Sequence, residues 1–224
     1  MKTFVGNSRL VRNTARAAFW SAVLLGAFSL QQASAQLPPG CGSLQNAYGP
    51  FDYRDPEARA HKLEVVEKHH FTAEVESLVR GKSNFYAIGD IDYTLRAFPN
   101  HHRALNSVAR YALQGGRFQS VSIPSADCYF QRAIAFRAED DTVRMLYANY
   151  LAMRGDQIAA ANQYEEALRL APTSAEVNYN AGLFFVKQGD LARAKQHAKV
   201  AYDNGYPLPG LKSRIAAAES KVQK

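Results

Sequence analysis

Residues 141–174 read DTVRMLYANYLAMRGDQIAAANQYEEALRLAPTS and residues 175–208 read AEVNYNAGLFFVKQGDLARAKQHAKVAYDNGYPL, and the second stretch repeats the first in phase. Gly155 and Gly189 stand 34 residues apart, as do Asp156 and Asp190, Ala160 and Ala194, and Ala167 and Ala201. A fixed period of that length marks a helix-turn-helix unit that cannot bury its apolar face alone and must stack on its neighbours. From Tyr164 to Pro172 apolar residues recur at helical spacing, and the helix must stop before the proline, which pushes the preceding residue out of the α region. Gly155-Asp156 and Gly189-Asp190 predict helix ends with a left-handed glycine followed by a new N-cap. Alanines on facing turns let two such helices approach closely. A fortuitous alanine-rich hairpin is the competing reading.

These blocks resemble the tetratricopeptide repeat. Ala148, Leu151, Ala160, Tyr164, Ala167 and Pro172 fall at that family's small, aromatic, alanine, aromatic, alanine and proline positions. Gly182, Phe185, Ala194, Ala198 and Ala201 follow in the second block, with Pro207 one residue late. The match departs from the pattern at Ala198, where a large residue is usual, and at Arg144 and Asn178, which replace the signature tryptophan. The resemblance implies an all-α, TPR-like helix-turn-helix solenoid, and the absence of any βαβ alternation agrees with it.

The rhythm continues upstream in weaker form. Tyr129 to Phe136 is an apolar run whose Ala133 lies 34 residues before Ala167, so 126–139 is predicted to be the second helix of a unit at about 102–140. Its first helix would span roughly 101–114, with Leu105, Val108, Tyr111 and Ala112 on one face. The connection 115–125 is longer than paired helices usually need and reads as an insertion. Phe71, Val75, Leu78, Ala87, Ile91 and Pro99 fit a still more degenerate unit at about 68–101, and Asp55-Pro56-Glu57 has the cap, proline and acid of a helix start.

The first 35 residues point to export. Lys2, Arg9, Arg12 and Arg16 make a positive start, Ala17 to Leu30 is mostly apolar, and Ala33-Ser34-Ala35 is a small-residue cleavage site, which together describe a secretory signal peptide cut before Gln36. The apolar stretch is shorter than a spanning helix needs, so a periplasmic or secreted protein without stable membrane insertion is expected; an uncleaved anchor is the alternative. Removing the leader's four basic residues from 27 leaves 23 against 20 acidic ones, so the basic pI of about 9.4 owes much to the leader. No basic stripe interleaves with aromatics, which argues against nucleic acid as a partner.

Residues 36–56 form an arm rich in proline, glycine and aromatics. Pro38, Pro39, Gly40, Gly42, Gly49 and Pro50 oppose helix, whereas Tyr48, Phe51 and Tyr53 are costly to leave in water and predict packing along the solenoid; a disordered linker is the alternative. Cys41 and Cys128 are the only cysteines, an even count in an exported chain, and a disulfide between them would pin the arm. Two free or separately buried thiols remain the alternative. Lipid attachment at Cys41 is disfavoured because Pro38-Pro39-Gly40 lacks the apolar residue of a lipoprotein signal.

No catalytic constellation emerges, and no motif calls for a cofactor or a metal. His69-His70 and His101-His102 are adjacent pairs whose members point to different helix faces, unlike the i, i+4 pair of zinc hydrolases. Phosphate loops and serine elbows are missing. A non-enzymatic role is therefore expected.

The resemblance implies a concave groove lined by the first helix of each unit. Its positions correspond to Thr142, Met145, Leu146, Asn149, Ala152 and Met153, then to Glu176, Tyr179, Asn180, Leu183, Val186 and Lys187. The degenerate unit adds His102, Leu105 and Asn106. Asn149 and Asn180 coincide with positions that grip a terminal carboxylate in some family members, but Met145 replaces the accompanying lysine, and backbone-bridging amides are the expected role. Met145, Met153 and Tyr179 suit an apolar segment or amphipathic helix of a protein or peptide partner. Residues 209–224, with a helix from Leu211 to Val222, read as a terminal cap with one polar face; a docking helix is the alternative. The function expected is a periplasmic scaffold or adaptor, with envelope-complex assembly as one setting. A metal- or thiol-dependent enzyme and a self-associating structural protein are the competing classes.

Overall fold

A computed structural model describes residues 1–3, 37–118 and 123–222, and all described helices lie within the unit Ser34–Lys224. Residues 4–36, on which most of the expected leader and its expected cleavage site fall, and residues 119–122 of the insertion lie outside the described residues. The unit is an all-α array of helices packed in adjacent pairs, a helical repeat solenoid, with no strand among the described residues.

The chain opens with α1 (Pro56–Ala58), a π-helical turn (Arg59–Leu63) and α2 (Glu64–His70), followed by the single turn α3 (Ala73–Glu76) and α4 (Ala87–Ala97). Three helix pairs then follow: α5 (His102–Leu113) with α6 (Ala126–Phe136), α7 (Asp141–Arg154) with α8 (Gln157–Leu170), and α9 (Ala175–Lys187) with α10 (Leu191–Asp203). Helices α5, α7 and α9 pack side by side in chain order, and α11 (Gly210–Val222) closes the array against α9 and α10.

Local chemistry sets these boundaries. Asp140, Asp156, Ser174 and Asp190 each accept a backbone N–H three residues on, from Val143, Ala159, Val177 and Arg193, which satisfies one orphan donor per helix. Gly155 ends α7 at φ 102° and Gly189 ends the α9 segment at φ 79°, in the left-handed region that side chains with a Cβ rarely enter. Helix α8 stops at Leu170, two residues before Pro172, as its sequence dictates. Ala148, Ala160, Ala167, Ala181, Ala194 and Ala201 are fully buried, so the 34-residue alanine phase is the seam along which each hairpin closes.

The degenerate first unit departs from the expected pair. Where Phe71, Val75 and Leu78 suggest a first helix, only Ala73–Glu76 is helical, Leu78 takes a left-handed φ of 65°, and the chain runs irregularly to Tyr86. The cause is Asp90, whose buried carboxylate gathers the backbone N–H groups of Lys82, Ser83 and Asn84 and bends the segment around itself. Helix α6 also ends at Phe136, before the expected 139, because Asp140 must start α7.

The arm packs on the array. Cys41 and Cys128 form a disulfide. Beside it the buried Arg132 donates to the carbonyls of Cys41 and Ser43. Tyr48, Phe51 and Tyr53 join Leu63, Val66 and Phe98 in a small second core, and the Phe51 N–H donates to the Ala97 carbonyl at 2.8 Å.

Candidate functional site

Helix spacing places Asn149, Ala152 and Met153 on one face of α7 and Asn180, Leu183 and Lys187 on the matching face of α9. Because α7 and α9 pack side by side, these faces meet over a groove of about 440 Å³. Its floor is aromatic, with Tyr164 of α8 and Phe184 of α9 at a centroid separation of 5.0 Å, and Val186 adds to the apolar wall. Arg214 of α11 reaches its rim.

An amide strip crosses the groove. Asn149 accepts from the Tyr164 hydroxyl, and its own Nδ2 lies 3.5 Å from Asn180 Oδ1. Asn180 in turn donates to the Glu176 carbonyl at 3.0 Å. Asn180 thus bridges backbone as expected, whereas Asn149 bonds side chains. Burial pushes the Tyr164 phenol well above its ordinary pKa, so it stays a donor. Met153 is 69% exposed, a long flexible apolar side chain left in water at the groove's edge. The charged residues lining the groove are Lys187 and Arg214, with no carboxylate among its lining residues. The site can enclose an apolar side chain, offer amide hydrogen bonds and attract negative charge.

The structure brings together Asn149, Met153, Asn180, Leu183 and Lys187. It does not bring the others there. Leu105 and Met145 are buried in the main core, because α5, α7 and α9 turn those positions toward the neighbouring helices; they are core residues and present no surface to a partner. Tyr179 is 8% exposed and stacks on Tyr206 at 3.9 Å, covered by the segment that leads into α11. Thr142 is half-buried, Glu176 and Asn106 are exposed, and all three lie outside the groove. Arg214 escaped sequence reading as a groove residue, since only the docking of α11 carries it there; Tyr164 was legible as a repeat aromatic but not as a groove floor.

The histidines bind carboxylates in separate places: His70 Nδ1 to Asp90 at 2.8 Å, His101 Nε2 to Glu67 at 3.0 Å and His102 Nε2 to Asp140 at 3.0 Å. Among the described residues no three His, Cys, Asp or Glu side chains converge as metal ligands would. Both cysteines are joined in the disulfide. No described helix is long and apolar enough to cross a membrane. A scan of protein-family models and a search of curated proteins found no match to this chain.

Proposed function

We propose that this chain is an exported, TPR-type scaffold that receives an apolar, acid-bearing segment of a protein partner in the groove between α7, α9 and α11. One observation carries the reading: an aromatic-floored groove with exposed Met153 has Lys187 and Arg214 as its lining charges. A partner helix or extended segment would bury apolar side chains against Leu183, Val186 and Met153 and set a carboxylate near the two cations. The 34-residue phase supports the repeat assignment, and the leader sequence supports a periplasmic or secreted location, where assembly of an envelope complex is the natural setting for an adaptor.

The test is capture of partners by crosslinking in the native envelope, comparing wild type with Lys187→Glu, Arg214→Glu. Both side chains are exposed, so the reversal leaves packing alone. A partner enriched by wild type and lost with the variant supports the reading. Unchanged capture, or recovery of the protein solely from the cytoplasm, overturns the groove or the location respectively.

A further inference from the structure

A second cleft, of about 470 Å³, lies at the opposite end of the array between the end of α2, the loop before α4, and α4 itself. Its wall is a built loop. The Asp90 carboxylate, with a fully buried side chain, accepts from the N–H groups of Lys82, Ser83 and Asn84 on one oxygen and from Asn84 Nδ2 and His70 on the other. A Cβ on Gly81 would come within 1.9 Å of the Asn84 carbonyl oxygen, so the turn admits only glycine there. At the loop's tip stand Phe85, 87% exposed, and Tyr86, 59% exposed, packed edge to face at 4.8 Å. Among the described residues no other Phe or Tyr is so open to water.

The buried carboxylate and the sterically required glycine fix the loop that carries the two exposed aromatics, and an exposed apolar patch rimmed by polar groups marks a recognition surface. The polar groups beside them define its chemistry. Asp92 pairs with Arg96 at 3.0 Å and accepts from Tyr129 at 2.6 Å, so the cleft's opposite charges are neutralised within it. The bond to Asp90 occupies His70 Nδ1, and Nε2 makes no hydrogen bond to described residues. Asn84 Oδ1 and the hydroxyls of Tyr86 and Tyr93 make no hydrogen bond to described residues. Open apolar ring faces next to uncharged donors and acceptors fit a neutral ring with an apolar face and a hydroxyl-bearing edge.

We infer that this cleft is a carbohydrate-binding site for a neutral saccharide, with the perpendicular Phe85–Tyr86 pair offering an open ring face for stacking and His70, Asn84 and Tyr93 as hydroxyl partners. The site is separate from the α7–α9 groove and does not depend on its role.

The experiment is saturation-transfer NMR and calorimetry on the purified protein with chitotetraose and maltotetraose. At least one is expected to bind, with aromatic protons of the protein transferring magnetisation to one face of the sugar. Phe85→Ala, Tyr86→Ala together should weaken binding by about tenfold or more without altering helix content, because both side chains lie outside the core. Tyr93→Phe, which deletes one hydroxyl and keeps the ring, should weaken it by a smaller factor. Absence of binding by both saccharides, or equal affinity in the double variant, overturns the proposal. So does efficient crosslinking of a photoreactive phenylalanine analogue at position 85 to a protein, which would make the aromatic tip a protein-docking element.

Discussion

Asn100 Nδ2 donates to Asp140 Oδ2 at 2.9 Å, and this one bond joins the end of the first unit to the N-cap of α7. The same amide nitrogen reaches Asp52 of the arm at 2.7 Å, and its Oδ1 accepts from the Tyr53 N–H at 2.9 Å. Asn100 is fully buried, so the bonds are shielded from water. Replacing it by alanine would leave a buried N–H and two carboxylate acceptors short of a partner. The variant Asn100→Ala is expected to lose about 3 kcal/mol of stability, read from the urea midpoint at constant m-value.

Stability should decline in two stages as pH falls. Burial lowers the pKa of His101, against the bond to Glu67, and likewise lowers that of His197, so the unfolded chain takes up protons first once pH drops below about 6.5. The carboxylates follow. Burial pushes Asp52, Asp90 and Asp140 up, but bonds led by Asn100, His70 and His102 outweigh it and hold all three below their ordinary values. Their contribution is complete above the unfolded pKa of about 4 and is lost as pH falls through the depressed folded values. Thermal melts from pH 7 to pH 2 should show a shallow loss, then a steep one. In Asp52→Asn the steep limb should flatten, and an unchanged limb would remove Asp52 from the account.

The disulfide closes a long loop, with a sequence separation of 87. On the chain-entropy model such a loop contributes about 4.6 kcal/mol. Cys128→Ala is expected to lower the urea midpoint accordingly. Residues 46–55 should stay protected from hydrogen exchange, because Asp52, Tyr53 and Phe51 hold them independently of the cysteines. Protection should fall chiefly over 37–45.

Gly182 lets α11 dock. A Cβ placed there would lie 2.5 Å from Leu211 Cδ2, and Leu211 is fully buried, so it has little room to yield. Gly182→Val should displace α11 at a cost of about 2 kcal/mol from overpacking, seen as protease sensitivity over 210–222 with the α7–α8 hairpin intact. The same variant should weaken partner capture, since Arg214 would leave the groove.

Much of the architecture was legible because it is local. The glycine–aspartate turns, the alanine phase and Pro172 act within one or two helical turns, and each produced the boundary its chemistry required. Asp55 capping the helix at Pro56 was legible for the same reason. The first unit was not, since its periodicity places Leu78 in a helix while Asp90, several residues on, pulls the intervening backbone into a loop. Apolar spacing cannot register a competing carboxylate that becomes buried only after folding.

The groove divides along the same line. The resemblance to the tetratricopeptide repeat implied Asn149, Met153, Asn180, Leu183 and Lys187 as groove residues, and the structure places these five together. The assignment could not tell an open position from a buried one: Leu105, Met145 and Tyr179, which share one repeat position, are all buried, the first two among neighbouring helices and Tyr179 under Tyr206. The sequence by itself determined the helices and their pairing from α5 onward, together with the presence of a terminal helix. Tertiary packing decided which positions meet water, brought Arg214 to the groove and joined Cys41 to Cys128, because exposure and long-range contact depend on how helices dock and not on the spacing within any one of them.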